Sequence, residues 1–252
     1  MLQYSPLIRC LMKSIEKVIP LETKEIPEFN VVDSVDDIEV VNDFSRYSRM
    51  TPENNPAEII EEYEKSAPGY EDRMLNKRGY TLPPIIAKIF HKYVEPTEDM
   101  KILDAGSGSG LIGQGLNKIG FPQKSIHGVD ISSAMLKEAA RKQIYEALVT
   151  GDLTKMPYAN DSFDHSISVM AIGIAPASSL DELARVTKPG GYIATTIRPE
   201  ILDEYPEFDE TMKRLEAEGI WKLIHRHGPI QSYINNVNNT THYFFVFQKL
   251  GE

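Results

Sequence analysis

Asp104 stands two residues before a run of alternating glycines, Gly106, Gly108 and Gly110, in the stretch KILDAGSGSGLIG (101–113). Two registers overlap there. Asp104, Gly106, Gly108 and Gly110 spell D-x-G-x-G-x-G, a spacing suited to a nucleoside that carries a sulfonium. Gly108, Gly110 and Gly113 spell G-x-G-x-x-G, the spacing of a dinucleotide loop. In either register the glycines permit positive φ and let the backbone approach a ligand closely. The acid separates the two, because a carboxylate at the crevice end of a strand repels a pyrophosphate and attracts an ammonium or a sulfonium. Gly113 then needs no ligand role and is expected as a small residue where helix meets sheet.

Two further acids fall at the ends of the next β-rich runs. Asp130 closes SIHGVD, 20 residues after Gly110, where a carboxylate can accept both ribose hydroxyls. Asp152, in TGDL, lies beyond the ribose, within reach of an adenine amino group, and equally fits an ordinary loop acid or helix cap. Three acids at strand ends of one parallel sheet converge on a single crevice.

The elements that must position them repeat as strand, turn, amphipathic helix. KILDAG precedes LIGQGLNKIG, SIHGVD precedes SSAMLKEAARKQI, and ALVTGD precedes a loop and the strand SFDHSISVMA. SSLDELARVT then leads to GGYIATTI and EFDETMKRLEAEG. This alternation predicts an α/β fold with a doubly wound, mostly parallel sheet. The last β-rich runs, WKLIHRHG and THYFFVFQKL, have only the loop PIQSYINNVNNT between them and are expected to close the sheet as an antiparallel hairpin. Upstream, AEIIEEYEKSAPGYEDRMLNKRGY reads as helix, break, helix, and LPPIIAKIFHKYV as a helix with proline at its start.

Residues 1–56 are expected as an N-terminal extension and 57–252 as the main domain. The extension opens with an amphipathic helix over Leu7–Ile19, interrupted by charge and unlike a signal peptide. It continues as an acidic, proline-punctuated linker with a short strand around Ile38–Val41. A net charge of -10 argues against nucleic acid as a partner. The lone Cys10 can form no internal disulfide and no thiolate metal cluster, which points to a reducing, cytoplasmic location without a metal. No long apolar run suggests a membrane span.

Five ordered segments, ILDAGSGSG, IHGVDISSAML, VTGDLTKMPYANDSFDHSIS, LDELARVTKPGGYI and the flanking YEKSAPGYEDRM, carry a family resemblance over about residues 60–250. The chain resembles class I S-adenosylmethionine-dependent methyltransferases. More narrowly, on GLIGQGLNKIGF, KQIY and MKRLEAEGIW, it is similar to the Williams-Beuren-region methyltransferase-like proteins. The resemblance implies a seven-stranded Rossmann-like sheet, S-adenosylmethionine as cofactor with S-adenosylhomocysteine as product, and a small-molecule acceptor. It also implies roles: Asp104, Gly106, Ser107, Gly108 and Gly110 around the methionine part, Asp130 and Ile131 at ribose and adenine, Asp152 and Leu153 at the adenine. Met170, and Tyr70 or Tyr63 on a covering segment, would neighbour the sulfonium.

No general base is identified. His165 reads as a packed strand residue, and His225 and His227 as a solvated pair on one face of the sixth strand. An NAD-dependent oxidoreductase using the other glycine register, and a non-catalytic cofactor-binding scaffold whose extension recruits a partner, remain as alternatives.

Overall fold

The computed structural model describes residues 50–235 and 239–251. The helix expected at Leu7–Ile19, Cys10 and the strand expected at Ile38–Val41 lie outside them. A seven-stranded sheet is ordered β3-β2-β1-β4-β5-β7-β6. Its strands are β1 (Ile102–Ala105), β2 (Ile126–Asp130), β3 (Ala147–Thr150), β4 (His165–Ser168), β5 (Tyr192–Ile197), β6 (Trp221–Gln231) and β7 (Thr241–Lys249). Neighbours from β3 to β5 pair in parallel, while β7 pairs antiparallel with both β5 and β6. The strand order reverses between β1 and β4, which opens the crevice above the carboxyl ends of β1, β2 and β4.

Every residue of β1 is buried, as expected where helices cover both faces of a parallel sheet. Those helices are α1 (Pro56–Ser66), α2 (Leu82–His91), α3 (Leu111–Lys118), α4 (Ser133–Ala140), α5 (Ser179–Val186), α6 (Pro199–Glu204) and α7 (Glu207–Ala217). A π-helical turn, Asp72–Lys77, follows α1. Proline begins α1, α2 and α6, where its missing N–H costs nothing. On one face the core gathers Leu103, Phe163, Leu180, Ile193, Phe208 and Trp221.

Within IRPEILDEYPEF, Pro199 sets the first helical φ of α6, and Ile201, 2% exposed, anchors it. One segment departs from the sequence reading: β6 runs past Gly228 to Gln231, instead of ending there. Register shifts at Leu223/His225 and His227/Ile230 accommodate Pro229, which an edge strand tolerates because it need not donate on its outer side.

Candidate functional site

The first glycine loop leaves β1 after Ala105 and turns over the end of β2. Gly106 and Ser107 both donate their N–H to the carbonyl of Val129. A side chain at Gly106, whose φ is +73°, would fall 2.3 Å from Cβ of Ala171, so glycine is required there. A side chain at Gly108 would meet no atom within 4 Å, so bare backbone faces open space. That space is a cavity of about 250 Å³.

Of the residues expected to bind the cofactor, Tyr70, Gly106, Ser107, Gly108, Asp130, Ile131, Asp152, Leu153 and Met170 line this cavity, with Tyr63 beside them. Asp104 and Gly110 are not among its lining residues. Asp104 is the third residue of β1, wholly buried beneath the loop. It accepts the Tyr145 hydroxyl at 2.6 Å on Oδ2, while Oδ1 has no partner. Burial pushes this carboxyl up to about 7; the Tyr145 hydroxyl opposes that shift and the Asp130 carboxylate adds to it. Gly110 and Gly113 both close on the Tyr145 ring, where a Cβ would lie 2.9 and 2.3 Å from its atoms. Gly113 therefore packs as a small residue, against a side chain from the α4–β3 connection. The dinucleotide register, which needs both glycines at the ligand, gains nothing from this arrangement.

Asp130, the last residue of β2, accepts Gly108 N–H at 2.8 Å on Oδ2 and Ser132 N–H at 2.9 Å on Oδ1. Burial raises its pKa, and these backbone bonds work against that. A carboxylate has about four acceptor sites, so each oxygen retains capacity for one more donor. Asp152 lies two residues beyond β3. Its Oδ1 accepts the N–H and hydroxyl of Thr154, both at 2.8 Å. Ser107 and Ser109 line the cavity, while their Oγ atoms are buried and unpartnered. Met170 lies just past β4 at φ +62°, its N–H held by Thr196 Oγ1 at 2.8 Å.

Helix α1 carries Tyr63 to the cavity, and the connection from α1 to the π-helical turn carries Tyr70. They are fastened to the body beside Asp130. Glu64 Oε1 accepts from Ser132 Oγ at 3.1 Å, Ser133 Oγ at 3.2 Å and Ala134 N–H at 3.0 Å, at the start of α4. These bonds lower the Glu64 pKa, the Ala134 N–H contributing most. Lys142 pairs with Glu71. Pro52, Asn54 and Pro56, from the segment expected as extension, also reach the cavity wall.

Sequence reasoning missed Tyr80 and Tyr145. Tyr80 lines the cavity and meets Tyr233 with ring centroids 5.4 Å apart, and Tyr233 donates to Met170 Sδ at 3.8 Å. The chain around Tyr80 is stitched to the β6–β7 connection by Thr81 N–H to Ser232 O and Ile234 N–H to Gly79 O, both 2.9 Å. No local pattern signals a contact between segments so distant in sequence. Tyr145 could have been found as the large residue that the small positions 110 and 113 accommodate.

The histidines stand apart. His165 Nδ1 accepts Tyr192 N–H at 3.0 Å, and burial lowers the ring's pKa to about 4, as expected of a packed strand residue. His225 and His227 share a face of edge strand β6, ring centroids 3.9 Å apart, with His227 Nε2 3.0 Å from Tyr93 Oη. Among the described residues no cluster of His, Cys, Asp and Glu could hold a metal, and no helix is long and apolar enough to cross a membrane.

A family model described as a methyltransferase domain matches residues 103–195. Human methyltransferase-like protein 27 is 32% identical over 173 residues, covering 66% of this chain and 69% of that protein. A malonyl-[acyl-carrier protein] O-methyltransferase from Erwinia pyrifoliae is 28% identical, covering 56% of this chain and 50% of its own length. Among solved structures, a TehB-like S-adenosylmethionine-dependent methyltransferase from Corynebacterium glutamicum superposes with a TM-score of 0.55 at 22% identity. The match covers 77% of this chain and all of that one.

Proposed function

Because the chain belongs to the class I S-adenosylmethionine-dependent methyltransferases, we propose that it transfers the cofactor's methyl group to a small-molecule acceptor held in the cavity above β1, β2 and β4. The observation that carries this reading is the bare backbone of Gly108 beside the strand-end carboxylate of Asp130 on the same cavity wall. A side chain at Gly108 would meet nothing within 4 Å, and Asp130 holds one backbone donor on each oxygen, leaving room for the two hydroxyls of a ribose.

When bound, the cofactor supplies an electrophilic methyl on sulfur. Toward it, Ser107 and Ser109 hold the amino-acid end and Asp104 adds negative potential from beneath. Asp130 receives the ribose hydroxyls on the lone pairs its backbone donors leave open. Ile131 and Leu153 flank the adenine, with Asp152 at its edge. Tyr70 and Met170 border the sulfur, where an aromatic ring stabilises a cation by about 0.5–2 kcal/mol. The chain's contribution to rate is alignment, which in a water-poor site supplies roughly 7–11 kcal/mol. The catalytic domain spans 57–252 in this reading, with Pro52, Asn54 and Pro56 of the extension contributing to its cavity.

Calorimetric titration tests it. S-adenosylhomocysteine should bind and NADH should not. Asp130→Ala should weaken S-adenosylhomocysteine by about 2 kcal/mol or more, since two hydroxyls lose a charged acceptor. Asp130→Asn, which keeps one acceptor for Gly108 N–H, controls for loss of the fold. Unchanged affinity in a folded variant would overturn the assignment of Asp130.

A further inference from the structure

The charge and chemistry of the cavity wall restrict the acceptor, given the methyl-transfer reading on which this step rests. Among the described residues the wall contains no Lys, Arg or His. Its ionisable groups are Asp130, Asp152 and the phenols of Tyr63, Tyr70 and Tyr80, and away from the glycine loop it includes the apolar Pro52, Pro56, Ile59, Ile174 and Pro176 beside the polar Asn54. An acidic acceptor would find no cationic side chain among these residues, at a desolvation cost that only pairing offsets.

In the methyl-transfer reading Asp130 and Asp152 face the ribose and the adenine, so neither carboxylate stands at the acceptor to take its proton. The Tyr80 phenol is pushed well above its ordinary range, first by burial. An alcohol or phenol, which must lose its proton to react, is therefore poorly served.

We infer that the acceptor is an uncharged nitrogen base on an apolar or aromatic body, a ring nitrogen of the pyridine or imidazole type whose lone pair is free near neutral pH, and that the product is its N-methyl cation. The nitrogen lone pair forms the new bond to the methyl carbon, and the pair of the breaking carbon–sulfur bond stays on sulfur as a neutral thioether. No proton moves. The positive charge passes from sulfur to nitrogen within a cavity walled by the rings of Tyr63, Tyr70 and Tyr80, which stabilise it throughout. With an anionic nucleophile the same step would annihilate the charge that this wall favours.

The test uses the full chain with S-adenosylhomocysteine present and four probes of one shape: 4-phenylpyridine, its N-methyl cation, 4-phenylphenol and 4-phenylbenzoate. Calorimetry should show the cation and the neutral base binding at least tenfold tighter than the benzoate. Tyr80→Leu should reduce affinity for the cation more than for the phenol. In parallel, labelled cofactor incubated with a small-molecule extract should yield label retained on a cation exchanger at neutral pH. Equal or tighter benzoate binding, label in acidic or neutral products, or absence of binding by the pyridine pair would each overturn the inference. Failure of S-adenosylhomocysteine itself to bind would instead count against the methyltransferase reading.

Discussion

Asp104 lies deeper than its position in the motif suggests. The spacing D-x-G-x-G-x-G points to an acid beside the glycine loop, and that much was legible. Its depth was not, because whether a strand-end carboxylate faces solvent or lies beneath a loop depends on what packs over it, here Tyr145. A carboxyl raised from 3.8 to about 7 in the fold binds a proton that the unfolded chain has already released. Its contribution to stability is thus present below about pH 4 and lost as pH rises toward 7, on the order of 4 kcal/mol at most. Asp104→Asn should remove this slope: the variant's melting temperature relative to wild type should rise between pH 5 and pH 8, as measured by thermal unfolding without cofactor. Affinity for S-adenosylhomocysteine should move oppositely. In the wild type it should tighten from pH 6 to pH 8 as the carboxyl ionises, and in Asp104→Asn it should be weaker and nearly flat. Tyr145→Phe, which strips the carboxyl of the hydroxyl on Oδ2, should shift the wild-type midpoint to higher pH in the same titration.

At the scale of elements, the parallel strands and their helices were readable because each alternates period and length as a βα unit must. What could not be read was whatever depends on distant partners. The six-residue α6 is too short to show a period, and the passage of β6 through Pro229 depends on its being an edge. The covering segment is the clearest case. Its helix was legible in AEIIEEYEKS, yet its attachment rests on Glu64 meeting three donors at the start of α4. Ser132 links the two sites, since its N–H holds Asp130 and its hydroxyl reaches Glu64. Glu64→Ala should therefore speed amide exchange over residues 56–77 in hydrogen–deuterium exchange, while the melting temperature changes little, because the strands keep their packing. Exchange confined to the rest of the molecule would refute this attachment.

For the molecule as a whole, ligand binding and stability are linked. S-adenosylhomocysteine at 100 times its Kd should add about 2.7 kcal/mol, roughly 5–11 °C in melting temperature for a chain of this size. NADH at equal concentration should add nothing. The surface charge of -10 makes the encounter with a cationic cofactor favourable at low salt. Sequence conveyed the class of fold and the part of the cavity around the glycine loop, whose residues lie within the contiguous stretch 103–195 that the family shares. It conveyed little of the facing wall, which is drawn from residues before that stretch and backed by Tyr233 from beyond it. The bridge between Tyr80 and Tyr233 closes this wall across the chain's two flanks. On the proposed reading selectivity is thereby modular: exchanging residues 50–83 together with the β6–β7 turn for those of a relative should transplant its choice of acceptor while leaving the glycine loop, Asp130 and Asp152 in place.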